Sequence, residues 1–190
     1  MTNNYPLLLT IFLVTFCLPF FGHAQDDLSG IINSYTAVTD YDQCEAIITV
    51  DNASAVSPGD AVLLIQMQGA TMNETNTSSF GSLEDIGGAG WYERNEISTI
   101  NGNQIQLRYS LLHAYDLNGA VQLITIPTYE EAIVSGTLTG ANWNGTTGGV
   151  VVFDAGRELT VSGAIDATGI GFRGGQTNSA VTDSCSSVAV

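Results

Sequence analysis

The feature that most restricts this chain is the spacing of its apolar residues. They come in short runs of period two, broken repeatedly by Gly, Asn, Asp or Pro. Alternation of that kind builds half-buried strands, and helix signals are almost absent, so the chain reads as all-β. The runs "EAIITV" (45–50) and "AVLLIQMQ" (61–68) are the first clear strands, the second apolar enough to be central. "YERNEISTI" and "QIQLRYSLL" then flank Asn101-Gly102-Asn103, a hairpin signal in which both turn residues are expected at positive φ. Ile105, Leu107, Tyr109 and Leu111 should share one face of the second strand, with Gln106, Arg108 and Ser110 on the other. Asn118-Gly119 marks a further turn into "AVQLITIP". These runs predict an antiparallel unit over 25–127, a small barrel or sandwich.

Beyond Pro127 the texture changes. Val134-Ser135-Gly136-Thr137-Leu138-Thr139 returns as Val161-Ser162-Gly163-Ala164-Ile165-Asp166, a step of 27 residues. Small apolar strands separated by Gly and Asn turns at that period predict the first coils of a parallel β-helix over 128–190. An ordinary pair of hairpins is the alternative, since a solenoid core normally needs three repeats. The segment "ATGIGFRGG" is then the turn out of a coil strand. Gly169, Gly171, Gly174 and Gly175 would supply left-handed angles and close approach, Phe172 a cap on an apolar stack, and Arg173 a partner for an acid or carbonyl.

Residues 1–24 are apolar and end in Gly22-His23-Ala24, small residues of the kind a signal peptidase reads, which predicts a secretory signal removed before Gln25 and no membrane insertion afterwards. The net charge of −15, from nineteen acids against four arginines and no lysine, lies wholly on the remainder. Such a chain repels nucleic acid and anionic surfaces at long range. Cys44 and Cys185 remain after cleavage, either as one bridge in an oxidising compartment or as two thiols.

Little enzymatic chemistry can be assembled. A serine or cysteine triad needs an imidazole, and His113 is the only histidine after residue 24. Zinc lacks ligands for the same reason. Asp154, Glu158 and Asp166 lie in the coils, where a glycosidase or lyase could hold its acids, but Arg157 and Arg173 are the only cations there. Calcium suits so many carboxylates, yet no ligand loop can be quoted and no ligands are assigned. "GIGFRGG" is not a phosphate loop, because no helix follows it. The excursion 69–90 is small, polar and glycine-laced, a long surface loop. Trp91, Tyr92 and Trp143 stand beside Asn and Thr residues and are candidates for stacking on sugars, or alternatively plugs at core ends.

The series "PGDAVLLIQMQGA", "NEISTINGNQIQL", "AVQLITIPTYEEAIVSGTLTGANWNGTTGGVVVF" and "LTVSGAIDATGIGFRGG", spanning 58–175, resembles the N-terminal region of very large secreted proteins of Bacteroidetes-type bacteria, some adhesin-like or gliding-motility-associated. The resemblance implies export by the Sec route and then, in many members, by a type 9 system. It brings no catalytic residues, and the family's C-terminal sorting domain is not in this sequence, which is expected to be a fragment. The expectation is therefore a non-enzymatic structural and adhesive module of a cell-surface protein, with extracellular glycans or surface components as partners. The alternatives are the opening of a β-helix polysaccharide-degrading enzyme and a free-standing carbohydrate-binding module.

Overall fold

The structure is a computed structural model that describes residues 25–172. Residues 1–24, expected to be a secretory signal, and Arg173, Gly174, Gly175 and Cys185 lie outside the described residues. Two short strands come first, β1 (Asp26–Asp27) and β2 (Gly30–Ile31). Then follow β3 (Tyr35–Asp42), β4 (Ile47–Val50), β5 (Ala61–Gln66), the small hairpin β6 (Thr71–Met72) and β7 (Leu83–Asp85), β8 (Tyr92–Asn101) and β9 (Gln104–Leu107). After a 3-10 turn at Leu117–Gly119 come β10 (Val121–Thr125), β11 (Thr128–Val134), β12 (Thr137–Thr139), β13 (Asp154–Val161) and β14 (Ala164–Ile165).

Six of these close an antiparallel barrel in the order β10-β3-β4-β9-β8-β5. The long strands β3 and β8 make closure work, because each serves two neighbours in turn. The first part of β3 pairs with β10 and the rest with β4; the first part of β8 pairs with β5 and the rest with β9. Register breaks at Val38/Asp40 and Ile97/Thr99 bend the strands where the partner changes, as bulges do. The interior is filled by Ile48, Val50, Val62, Leu64, Ile97, Ile105, Leu107, Val121 and Leu123.

The sequence pattern fails at two places in the hairpin. Only Gly102, the first residue of the two-residue loop between Asn101 and Gln104, has positive φ. Asn103 instead spends its side chain on the Asp51 carbonyl (2.9 Å). β9 also stops at Leu107 rather than running to Leu112. The Asn95 amide replaces the ladder there, donating to the Tyr109 carbonyl (2.8 Å) and accepting its N–H (3.1 Å), and Tyr109 turns outward.

The remaining strands stack in parallel. β1, β11 and β13 form one ladder, and β2, β12 and β14 another. Partners Val134↔Val161 and Leu138↔Ile165 reproduce the 27-residue echo, so the repeat is a β-helix and not a pair of hairpins. The unit expected over 25–127 needs correction. Asp26 pairs with Ala132 and Ile31 with Thr139, so the N-terminal strands are the first rung and the barrel is an insertion between the first rung and the second. At that first corner Leu28-Ser29 holds the place of Val134-Ser135, and the corner is two residues shorter, so that Gly30 pairs with Leu138. Corner glycine permits the stacking: a Cβ on Gly163 would fall 2.0 Å from the Gly136 carbonyl oxygen. Leu28, Ala132, Val134 and Leu138 form the solenoid core.

The run Val150–Phe153 joins the two parts. Val151 and Phe153 pack into the solenoid, while Val150 and Val152 cover Leu63, Ile124 and Ile126 on the barrel's outer wall. β5 and β10 are thus buried on both faces, which is why they read as nearly continuous apolar runs.

Candidate functional site

The candidate site lies along this seam. Its position is set by side chains that reach from the barrel to the connector between the second and third rungs. Gln122, fully buried in β10, donates to the Gly148 carbonyl (3.0 Å) and accepts the Gly148 N–H (2.8 Å). The Tyr35 hydroxyl donates to the Val150 carbonyl and accepts the Ala141 N–H (3.3 Å), and burial raises its pKa above the ordinary phenol value. Asn33 bonds both the N–H and the carbonyl of Val152. Thus fixed, the connector turns Trp143 inward, with its backbone N–H donated to the Ile170 carbonyl (2.7 Å). That bond draws the segment after the third rung onto the connector. Ile170 is buried there, and Phe172 lands edge-on against Trp143 with ring centroids 5.2 Å apart at 68°.

The opposite wall comes from the end of β5. Gln66 is buried, donating to the carbonyls of Gln68 (2.6 Å) and Gly87 (2.8 Å) and accepting the Asp116 N–H (2.9 Å). It therefore ties together both roots of the 69–90 excursion and the 3-10 turn. Gly69 and Gly87 must meet at this root, since a Cβ on either would fall 2.2–2.3 Å from the other's carbonyl oxygen. Between the walls runs a groove in two parts that share Gln68 and Phe172. One, of about 450 Å3, is bounded by Trp143, Asn144 and Gly145; the other, of about 550 Å3, by Met67, Ala70 and Asn118. No charged side chain among the described residues lines either part. Among the described residues the Gln68 side-chain amide has no hydrogen-bond partner, and the Asn118 amide nitrogen donates to Asp116 (2.9 Å). Aromatic edge, aromatic face and amides together can hold a ligand that is both hydroxylated and partly apolar.

The predicted site residues fall in different places. Trp143 is only 6% exposed, so it gives no open stacking face; it is the floor of the groove, and the exposed ring is Phe172 at 56%. Trp91 and Tyr92 are exposed but do not line the groove; Trp91 is stacked on His113 at 4.9 Å and 28°. Gly169 has the expected left-handed φ of +73°, whereas Gly171 has no neighbour a Cβ would meet and no positive φ. Cys44 is exposed in the β3–β4 turn and pairs with no cysteine among the described residues. Of the coil acids, Asp154 is paired with Arg94, and Glu131, the ladder partner of Glu158, with Arg157. Asp166 caps its own turn by accepting the Thr168 N–H (2.8 Å), and hydrogen bonds from Thr168 lower its pKa. No group of three or more His, Cys, Asp or Glu side chains is placed to hold a metal among the described residues. Gln68 and Asn118 were not legible as site residues. The one available signal was an amide pair, Gln66 and Gln68, closing an otherwise apolar strand.

No protein-family model and no curated protein matches the chain. Solved structures that resemble it are phage tailspikes. One is that of Acinetobacter baumannii bacteriophage AP22 in complex with A. baumannii capsular saccharide, at 12% identity and TM-score 0.35, covering 70% of this chain and 22% of that one. The gp49 tailspike of Pseudomonas phage LKA1 matches at 16% identity and TM-score 0.30, over 56% of this chain and 18% of its own. The gp61 tailspike of Pseudomonas phage phi297 matches at 14% and 0.31, over 74% and 20%. The chain thus spans about a fifth of the length of each.

Proposed function

We propose that this chain is a non-enzymatic structural and adhesive module of a secreted cell-surface protein, in which a barrel braces the first rungs of a β-helix and the seam between them contacts glycans. The observation that carries this reading is the groove: Phe172 stands half in solvent on a buried Trp143, beside the amide of Gln68. The structural half is supported by the third rung, whose inward residues Leu159, Val161 and Ile165 present a stacking surface. Placement at the head of a large exported protein follows from the sequence resemblance.

The enzyme alternative asks for acids on adjacent coils facing one cleft. Glu131 and Glu158 are adjacent, but an arginine is bound to the first and neither lines the groove. The test is binding to immobilised polysaccharides by the wild-type chain and by Phe172→Ala. Retention of wild type with at least about tenfold weaker binding by the variant, at an unchanged melting temperature, is expected. Equal retention of both proteins would remove the groove from the function, and release of reducing ends would restore the enzyme reading.

A further inference from the structure

Resting on the glycan-contact reading, a second site can be placed beside the groove on the same connector. A cleft of about 280 Å3 opens between the barrel and the turn 144–147, with Asp51 and Asn52 on the barrel side and Thr146 and Thr147 on the other. Asn144 belongs both to this cleft and to the part of the groove beside Phe172, so the two depressions meet at the turn.

Both walls are fixed by the fold. On the connector, the Asn144 Oδ1 accepts the N–H groups of Thr146 (2.8 Å) and Thr147 (2.9 Å), and its amide nitrogen donates to the Thr147 hydroxyl (3.1 Å). The turn ends in Gly148, which Gln122 clasps from the barrel. On the barrel, the Asp51 N–H donates to the Ala37 carbonyl (2.9 Å), and the Asn103 amide donates to the Asp51 carbonyl (2.9 Å). Both backbone groups of Asp51 are thus tied into the barrel, and the residue is exposed at the cleft. The neighbouring Asn52 accepts the Ser54 N–H on Oδ1 (2.9 Å), which makes its amide nitrogen the end that can donate to a ligand. Thr146 is exposed opposite them and adds a hydroxyl.

An ionised carboxylate only accepts hydrogen bonds, an amide nitrogen only donates, and a hydroxyl does both. That set is the complement of a sugar edge: two adjacent hydroxyls can donate to the two oxygens of Asp51, and a further oxygen can accept from Asn52. Bonds to a charged acceptor are roughly twice as strong as neutral ones, so Asp51 carries most of the affinity expected here. The groove offers the aromatic surface of Phe172 and the cleft offers directed polar contacts, and a chain crossing the turn gains both. We infer that the cleft is a second saccharide subsite, in which Asp51 accepts from two adjacent hydroxyls of a sugar flanked by Asn52 and Thr146, on the same glycan chain that rests on Phe172.

The probes are cellohexaose, mannohexaose and chitohexaose, each with its disaccharide, titrated calorimetrically into the full chain and into Asp51→Asn, Thr146→Val and Phe172→Ala. At least one hexaose is expected to bind, about tenfold tighter than its disaccharide, and Asp51→Asn should remove most of that difference. Thr146→Val should cost about threefold, and the melting temperature should stay put in both cleft variants. A hexaose that depends on Phe172 but binds Asp51→Asn as tightly as wild type overturns the second subsite and keeps the glycan reading. Dependence on Asp51 without dependence on Phe172 confines the sugar to the cleft and overturns the continuous chain. Binding abolished by EDTA gives Asp51 to a metal ion and overturns its role as a hydroxyl acceptor. Silence from every saccharide takes down the glycan reading itself, and this inference with it.

Discussion

The barrel and the stacked rungs bury the same kinds of side chain by different means. In the barrel every strand has two neighbours, so no backbone edge is left and Ile48, Leu64 and Ile105 are sealed from all sides. In the solenoid burial varies with the rung, Leu28 on the first being covered and Val161 on the third half exposed. Val134 and Val161 hold the same place in the repeat, yet the first is 0% exposed and the second 49%; Leu138 and Ile165 differ likewise, 0% against 46%. Burial in the barrel is a property of the residue's position along its strand. In the solenoid it is a property of which rung the residue lies on, as expected of a structure stabilised by nearest-neighbour interfaces.

That contrast gives the largest predicted effect. Leu138→Ala opens a cavity in a packed core and should cost about 2–5 kcal/mol. Ile165→Ala at the equivalent place should cost roughly 1 kcal/mol, since half the side chain is already in water and no closed cavity forms. Urea denaturation of the two variants measures the difference. Equal losses would mean that the third rung is covered in solution and that the contrast between Leu138 and Ile165 does not hold there.

The next effect concerns what joins the two regions. Gln122→Leu keeps the volume of a side chain in the barrel wall but strands the N–H and carbonyl of Gly148, at about 1–3 kcal/mol for each buried group left unpaired. Because Gly148 belongs to the connector that carries Trp143, the loss should appear first as faster amide exchange over 141–149, ahead of the barrel strands. Uniform exchange across both regions would show that they open as one unit and that Gln122 is not a local clasp.

What could be read from the sequence divides along the same line. The barrel strands were legible because alternation and turn residues are local. The second and third rungs were legible because a Ser-Gly corner recurs at a fixed step. The first rung was hidden because the whole barrel intervenes between it and its stacking partner, and because its corner is two residues shorter, so a repeat of constant period passes over it. Gln122 looks like a surface position in a strand, and becomes buried only because β10 is covered on its outer side; Gln66 shares the inward side of β5 with Val62 and Leu64 and is closed over by Gly87, Gly88 and Gly119. Trp143 could be named as an aromatic among amides, but its burial depends on the Ile170 carbonyl, supplied by the turn after the next rung. The exposed ring of the site, Phe172, was legible as a cap and not as a contact.

The smallest effect tests whether charge also holds the regions together. Arg94 in β8 is paired with Asp154 in β13, the one ion pair among the described residues that bridges barrel and solenoid. Both side chains are more than a third exposed, so water and salt screen their attraction, and fixing a long arginine side chain opposes it. Arg94→Ala should therefore change stability by about 0–1 kcal/mol, against a larger loss for Gln122→Leu. A double variant tells whether the two links share their work: additive losses mean independent fastenings on one seam. If Arg94→Ala alone matched Gln122→Leu, with the loss vanishing at high salt, the seam would be held by charge, and the buried amide would be relieved of the role argued for it here.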